Sequence, residues 1–249
     1  MKKVIISAAL GLMIPLMSIG QSLLGPGVTG SSLTVAGSPH NFSGDTWNAY
    51  TPIVVSGSTA TGGQGGQICQ PCHTPHNSDM TVSDAPLWNH AFTSATYQMY
   101  TGFEFGTSTT TGYIGYGVTA PDGTSKLCLS CHDGSIALGA YGQQNLGGPL
   151  TGGAMLGTDL RNDHPISMPY DSFVGGGLHT PSYIYNNYSS GGSGTFVTYV
   201  SSGKTVGSKL DANGKVQCTS CHGPHSNGKG YQLSMDNRGS ALCLACHKK

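Results

Sequence analysis

The sequence predicts a mostly irregular fold, with short helices and a few short strands. Glycine is abundant, with 39 of 249 residues. Leu, Ile, Val and Phe together stay below the roughly 20% that an ordinary hydrophobic core needs. Charged residues make up only 9% of the chain and the formal net charge is +0, so the high net charge that is typical of disorder is missing. We therefore expect the chain to fold around apolar material other than its own side chains.

A five-residue unit, Cys-x-x-Cys-His, occurs at 69–73, 128–132, 218–222 and 243–247 and uses all 8 cysteines. Two thiols at this spacing can bond to the two vinyl groups of one porphyrin, while the adjacent imidazole reaches the iron. The sequence thus predicts four c-type haems, and the fold of a multihaem c-type cytochrome wrapped around a haem chain. The predicted covalent attachment points are Cys69, Cys72, Cys128, Cys131, Cys218, Cys221, Cys243 and Cys246. The predicted proximal iron ligands are His73, His132, His222 and His247.

Three other interpretations of the unit explain less. A zinc site predicts mixed Cys and His spacings, and a redox dithiol predicts one motif beside a βαβ pattern. A disulfide framework is compatible with an even cysteine count in an exported chain. None of the three explains why a histidine follows the second cysteine every time.

The N-terminus predicts export. Met1-Lys2-Lys3 is a short basic start, an apolar run extends from Val4 to Met17, and small residues follow, which is typical of a secretory signal peptide over 1–20. We expect an extracellular or cell-surface location, with the periplasm as the alternative. No later stretch is apolar enough to predict a membrane span.

An internal repeat predicts the organisation of the rest. CHTPH at 72–76 resembles CHGPH at 221–225, and LCLSCH at 127–132 resembles LCLACH at 242–247. Each half thus carries two haem motifs. The predicted units are an N-terminal arm at 21–60, haem module one at 61–165, a Gly/Ser/Tyr-rich insertion at 166–210 and haem module two at 211–249.

The second axial ligand decides whether a haem carries electrons or binds substrate. Of the 10 histidines, six lie outside the motifs. His76 and His225 each lie three residues after a motif histidine, too close to reach the far face of their own haem, so each is expected to ligate an immediate neighbour. His164 follows Asp163, which is expected to orient its imidazole. The distal candidates are His76, His225, His164, His40 and His90, and the sequence does not decide among His40, His90 and His179.

Local patterns predict little regular structure. Helix is expected only at the haem motifs and around 87–100. Strands are predicted at 51–55 and 195–200. A hairpin is predicted from 204–210 and 215–217, because Asn213-Gly214 suits a type I′ turn.

Several elements in order resemble a known family. These are HNFS at 40–43, CHTPHN, PLWNH at 86–90, LCLSCHDG, LRNDHP at 160–165, CHGPHS and a terminal LCLACH. Together they resemble tetrahaem c-type cytochromes with doubled CxxCH motifs, and in particular extracellular cytochrome nanowire subunits of the OmcE type. The resemblance implies a chain of bis-His haems, polymerisation into conducting filaments and one distal imidazole donated by an adjacent subunit. His40, on the N-terminal arm, is the expected donor.

The predicted function is extracellular electron transfer through four closely spaced haems, as the repeating subunit of a filament. A soluble periplasmic tetrahaem carrier is the alternative, followed by a multihaem reductase. All four motifs are regular and no paired carboxylates indicate acid–base chemistry, so we do not expect an enzyme. The expected partners are further copies of the chain and redox proteins or extracellular acceptors. The neutral charge balance gives no reason to expect nucleic acid or a membrane surface.

Overall fold

The computed structural model describes residues 40, 42, 69–82, 85, 87–100, 118–142, 145–170, 177–189, 198–225 and 231–248. The predicted strand at 51–55 lies outside these residues. The described elements, in order, are α1 (Gly123–His132), β1 (Ala137–Gly139), β2 (Leu146–Pro149), β3 (Met168–Pro169), β4 (Ile184–Ser189), β5 (Thr198–Thr205), β6 (Lys215–Val216), α2 (Cys218–Cys221) and α3 (Ala241–Cys246), with 3₁₀ turns at Val206–Lys209 and Arg238–Ser240.

The three helices coincide with haem motifs, as predicted. The second motif forms the last part of α1, the third forms α2 and the fourth forms most of α3. The helix α2 begins with a capping box, in which the side chains of Gln217 and Ser220 each bond the other's backbone N–H. The first motif is a turn rather than a helix.

The strands of the described residues pair into three antiparallel two-stranded sheets, β1 with β2, β3 with β6 and β4 with β5. A two-stranded sheet is marginal in water unless it packs on something else. The strand β4 does so through Tyr185, which is buried against Ala241, Leu242 and Ala245 of α3. The last helix is thereby held by the longest hairpin.

Long-range contacts overturn two of the local predictions. Residues 215–216 pair with Met168–Pro169 rather than with 204–210, so the predicted hairpin is wrong. The type I′ turn predicted at Asn213-Gly214 is also wrong, because Gly214 has a positive φ of 71° but Asn213 has none. The chain turns over 211–214 instead, where Gly214 N–H donates to Asp211 O at 3.0 Å. Residues 87–100 are not helical. Their backbone bridges to other segments at Trp88 and His90 instead. The strand predicted at 195–200 is present in its described part, as the start of β5.

Buried apolar side chains in the described residues form three small clusters rather than one core. One lies around Leu129 and Leu160, a second around Met235 and Leu242, and a third around Trp88 and Leu127. The mostly irregular fold with short helices and strands is therefore confirmed. Segments assigned to the two predicted modules touch directly, since α1 contacts α2, and the predicted insertion joins module two through the pairing of β3 with β6. The module boundaries stay a prediction.

Candidate functional site

Each motif presents its cysteines and histidine on one turn of backbone. The N–H groups of His73, His222 and His247 donate to the carbonyl of the first cysteine of their own motif, at 2.8, 2.9 and 2.9 Å. The corresponding residue of the second motif, His132, ends α1. Residues three and four apart on a helical turn lie on one side of it, so both thiols and the imidazole of the second motif share a face of α1. All eight cysteines are free, which leaves the sulfur atoms open to thioether bonds.

Three motif histidines face a histidine from outside the motifs. The ring centres of His73 and His225 lie 6.0 Å apart. Those of His132 and His40 lie 6.1 Å apart, and those of His247 and His164 lie 6.3 Å apart. Two imidazoles on opposite sides of one metal ion, each bound at about 2 Å, have ring centres about 6 Å apart. All three pairs therefore have the separation of a bis-His iron site.

Each of these pairs joins distant parts of the sequence. His225, in the CHGPH element, faces the first motif, although it follows the third by only three residues. His164, from the LRNDHP element, faces the C-terminal motif. His40 faces the second motif. The placement of His225 against another motif fits the sequence argument that it cannot reach the far side of its own haem.

Backbone carbonyls orient several of the imidazoles. Nδ1 of His132 donates to Ala154 O at 2.8 Å, and Nδ1 of His222 donates to Tyr231 O at 3.0 Å. A histidine that donates from Nδ1 leaves the lone pair of Nε2 for a metal, which is a common arrangement around bound metals. Nδ1 of His164 lies 3.1 Å from Pro165 O. Its hydrogen bond thus goes to that carbonyl rather than to Asp163, and the predicted role of Asp163 is wrong.

His40 lies close to groups of the second and third motifs. Its pKa is lowered to about 4, mainly by burial and also by the imidazole of His132. His225 and His222 act on the same pKa in the same direction, while the hydrogen bond from His40 Nδ1 to Pro224 O opposes them. Histidines of the second and third motifs and of the CHGPH element are therefore near one another around His40.

The cysteines show the same proximity between consecutive motifs. Burial raises the pKa of Cys131 to about 12, and the nearby thiol of Cys72 from the first motif adds to the shift. A hydrogen bond between Cys128 and Cys218 links the second and third motifs and raises the pKa of Cys128. Burial is also the main cause of the raised pKa of Cys221, to which Cys246 contributes. Motifs that follow one another in the sequence are thus neighbours in space.

His222 is the one motif histidine that faces no imidazole from outside the motifs, and all ten histidines lie within the described residues. It is exposed. His76, which the sequence singled out together with His225, is also exposed, and its hydrogen bonds involve only its backbone. The structure therefore pairs one of the two CHxPH histidines with a motif histidine and leaves the other free at the surface.

His90 is buried away from the motif histidines. It is 2% exposed, its Nδ1 donates to Ala91 O at 2.9 Å, and its Nε2 has no hydrogen-bond partner. The indole Nε1 of Trp88, two residues earlier, is likewise buried without a partner. Burial is the main reason that the pKa of His90 is lowered. The imidazole is therefore neutral near pH 7.

His179 lies beside the C-terminal motif but does not face its histidine. Its ring stacks on Tyr183, with ring centres 3.6 Å apart and an interplanar angle of 5°. Its backbone N–H donates to Cys246 O at 2.8 Å. A cleft of about 440 Å³ opens between these residues and His247, and Leu244 and Lys248 of the C-terminal segment also line it.

Two anchoring residues were not identified from the sequence. Tyr170 is 2% exposed and its hydroxyl contacts His179 O at 2.9 Å and Cys246 O at 3.3 Å. Asp133 is 4% exposed and directly follows the second motif. A charged residue directly after a motif, as in LCLSCHDG, was the only available signal for Asp133. Nothing local marks Tyr170.

No group of three or more His, Cys, Asp or Glu side chains in the described residues is arranged to hold a metal ion. In the same part of the chain, no helix is long and apolar enough to cross a membrane.

One family model matches the chain. Residues 212–249 match the doubled CXXCH motif, which covers the third and fourth Cys-x-x-Cys-His units. No curated protein matches the chain. The match supports a c-type cytochrome that binds haem covalently and transfers electrons. The pairs of facing imidazoles fit that group, because a haem iron has two axial positions for nitrogen ligands.

Proposed function

We propose that this chain is a tetrahaem electron-transfer protein whose irons are held between pairs of histidines. The observation that carries the proposal is the recurrence of facing imidazoles, three times at ring separations between 6.0 and 6.3 Å. Each pair combines one motif histidine with one histidine from outside the motifs. A metal site that used single imidazoles would give no reason for this repetition.

The residue roles follow from these pairs. The cysteines of the four motifs would hold the haems covalently, and each motif histidine would bind one iron. His225, His40 and His164 would supply the second histidine at the first, second and fourth motifs. A bound haem supplies a reversible one-electron change at iron, and two nitrogen ligands leave no position for a substrate.

The polypeptide's own contribution is to set spacing and to exclude ligand exchange. Hydrogen bonds from Nδ1 to backbone carbonyls fix the imidazole tautomers and directions. Cysteines of consecutive motifs lie near one another, Cys72 to Cys131, Cys128 to Cys218 and Cys221 to Cys246, so the fold places the four sites close together. Closely spaced sites allow electrons to pass without a substrate pocket.

Haem content and carbon monoxide binding test this proposal. Mass spectrometry of the protein expressed with a haem-maturation system is expected to show the mass of four haems, and alkaline pyridine spectra are expected to show thioether-bound haem. The reduced protein is expected to bind little carbon monoxide, at most at the third motif. Stoichiometric binding at all four irons would contradict bis-His ligation and favour a reductase.

We further propose that the subunits polymerise outside the cell into an electron-conducting filament. The supporting observation is that His222 and His76 are both exposed and that neither faces another imidazole. An exposed ligand on one copy and an iron with an open axial position on the next form a heterologous junction, which generates filaments when it does not close into a ring. His40, which the sequence favoured as the crossing ligand, faces His132 of its own chain, so His76 replaces it in this proposal. Electron microscopy of native material distinguishes filaments from a soluble carrier.

A further inference from the structure

A buried carboxylate stands beside the second haem motif. Asp133 directly follows His132, is 4% exposed and takes no part in the ion pairs of the described residues. We propose that Asp133 lowers the reduction potential of the haem iron bound at His132. This inference rests on the haem binding proposed above and assigns one residue a tuning role within it.

Three hydrogen bonds hold this carboxylate in place. Oδ2 accepts from the hydroxyl of Tyr97 at 2.7 Å, and Oδ1 accepts from the backbone N–H and the hydroxyl of Ser135, each at 2.8 Å. These donors replace the water that burial removes. Because Asp133 is 4% exposed, solvent screens it weakly from the adjacent iron site.

The field of Asp133 reaches the haem attachment residues. Burial is the largest cause of the raised pKa of Cys131, and Asp133 adds to it. Asp133 also acts to raise the pKa of His90, as a nearby anion does. The C-terminal end of α1 carries partial negative charge, so it has the same electrostatic effect as Asp133. An anion near the iron favours the ferric over the ferrous state, because reduction adds one electron and one negative charge there.

The four motifs provide an internal comparison. The residues that directly follow the motif histidines are Thr74, Asp133, Gly223 and Lys248. Only the second motif is followed by an anion, and that anion is buried. Lys248, after the fourth motif, is exposed, so water screens its charge. The effect is therefore specific to the second haem and does not apply to all four.

The test is a potentiometric titration of the intact holoprotein and its variants, followed by visible spectroscopy with redox mediators. Asp133→Asn removes the charge and keeps the shape, so one of the four potentials is expected to shift to a more positive value. Asp159→Asn, at an exposed position, makes the same change in net charge and is expected to shift the potentials less. Equal shifts in these two variants, or none in Asp133→Asn, would overturn the inference.

A second variant separates tuning from a structural role. Tyr97→Phe keeps the carboxylate but removes a donor that partly compensates its charge, so the same potential is expected to shift to a more negative value. Opposite signs in Asp133→Asn and Tyr97→Phe support an electrostatic effect, whereas shifts of the same sign indicate a structural one and overturn it. Ser135→Ala also keeps the charge, and a negative shift is expected for it should Asp133→Asn fail to take up haem. Absence of covalent haem from the parent protein would instead refute the proposed function, which the titration detects before any variant is compared.

Discussion

At the scale of single residues, the exposure of an imidazole and its placement opposite another imidazole are separate properties. His164 is exposed, yet its ring lies 6.3 Å from that of His247. His90 is 2% exposed, yet it faces no motif histidine. Burial and placement opposite another imidazole are therefore independent of each other in these two residues, and the proposed ligand set rests on placement.

His90→Gln tests this distinction. Because the ring of His90 faces no other imidazole, we expect the variant to keep its four low-spin haems and to gain no carbon monoxide binding. We expect a stability loss of about 1 kcal/mol, because the buried hydrogen bond from Nδ1 to Ala91 O is lost. Absorption spectra and denaturant unfolding measure the two effects. His164→Gln is the matched control, and a high-spin signal is expected there. The same signal in His90→Gln would make His90 an iron ligand.

At the scale of secondary-structure elements, a polar joint connects the second and third motifs. Gln217, which is 1% exposed, donates through Nε2 to Asp122 Oδ1 at 3.0 Å and to Asp211 Oδ2 at 2.8 Å. The hydroxyl of Ser125 in α1 accepts from the N–H of Cys218 in α2 at 3.0 Å. Lys215 completes the joint through its ion pair with Asp122. The joint fixes the start of α1 against the start of α2, and so the distance between two haem motifs.

Asp122→Asn tests the contribution of this joint to stability. Burial would raise the pKa of Asp122, but hydrogen bonds from Lys215 and Gln217 outweigh it and the pKa is lowered. The stabilisation is therefore fully present above the unfolded value of about 4 and is lost as the pH falls through the folded value. We expect the variant to be less stable than the parent at pH 7 by about 1 kcal/mol, a modest figure because Asp122 is 46% exposed. We expect this difference to shrink near pH 3.

Denaturant unfolding of the holoproteins at both pH values measures this difference, and comparison with the parent removes effects that histidine protonation has on both. The control is Asp159→Asn. The pKa of Asp159 is lowered to about 2 by Arg161, but its carboxylate is solvent-exposed and bonds only two residues away, so little change at pH 7 is expected. An equal loss in both variants would show that the joint adds nothing specific.

The sequence predicted those elements that local chemistry determines. The helices at the second, third and fourth motifs were predicted correctly because the motif spacing itself requires a turn. A turn does occur next to Asn213-Gly214, but it is not the type I′ turn that this dipeptide favours, because Asn213 has no positive φ. The strand pairing of 215–216 and the non-helical course of 87–100 depend on contacts with other segments, namely Met168–Pro169 and the segments that bridge to Trp88 and His90. No pattern within either segment encodes such partners.

In the candidate site, too, the residues that local spacing determines were predicted, and the placements that depend on the fold were not. The cysteines and the proximal histidines follow from a fixed spacing. The distal candidates His225, His164 and His40 could be nominated from the sequence, but the motif that each one faces could not, because each pair spans much of the chain. Asp133 was likewise visible as a residue type, whereas its burial and its three hydrogen bonds depend on the fold.

At the scale of the whole molecule, three motif histidines face a histidine from outside the motifs. The fourth motif histidine, His222, has no such facing imidazole. His222 and His76 are both exposed. The described buried clusters are small, so iron–imidazole bonds at the proposed haems would carry much of the task of holding distant segments together. A missing bond within the subunit is therefore a natural point at which a second subunit joins.

His76→Ala is expected to abolish this joining while leaving the subunit intact. His76 is exposed and contributes only backbone hydrogen bonds, so the variant is expected to take up four haems and to fold as a single subunit. In negative-stain electron microscopy the parent is expected to form filaments and the variant single subunits. The iron at His222 is then expected to become high-spin and to bind carbon monoxide.

His179→Ala is the matched control, because His179 also faces no motif histidine, and its filaments are expected to persist. Filaments of His76→Ala that match the parent would contradict the role of His76. Single subunits in the parent under native conditions would contradict the filament itself. The bis-His haem chain would then describe a soluble carrier, since the three facing pairs do not depend on a second copy.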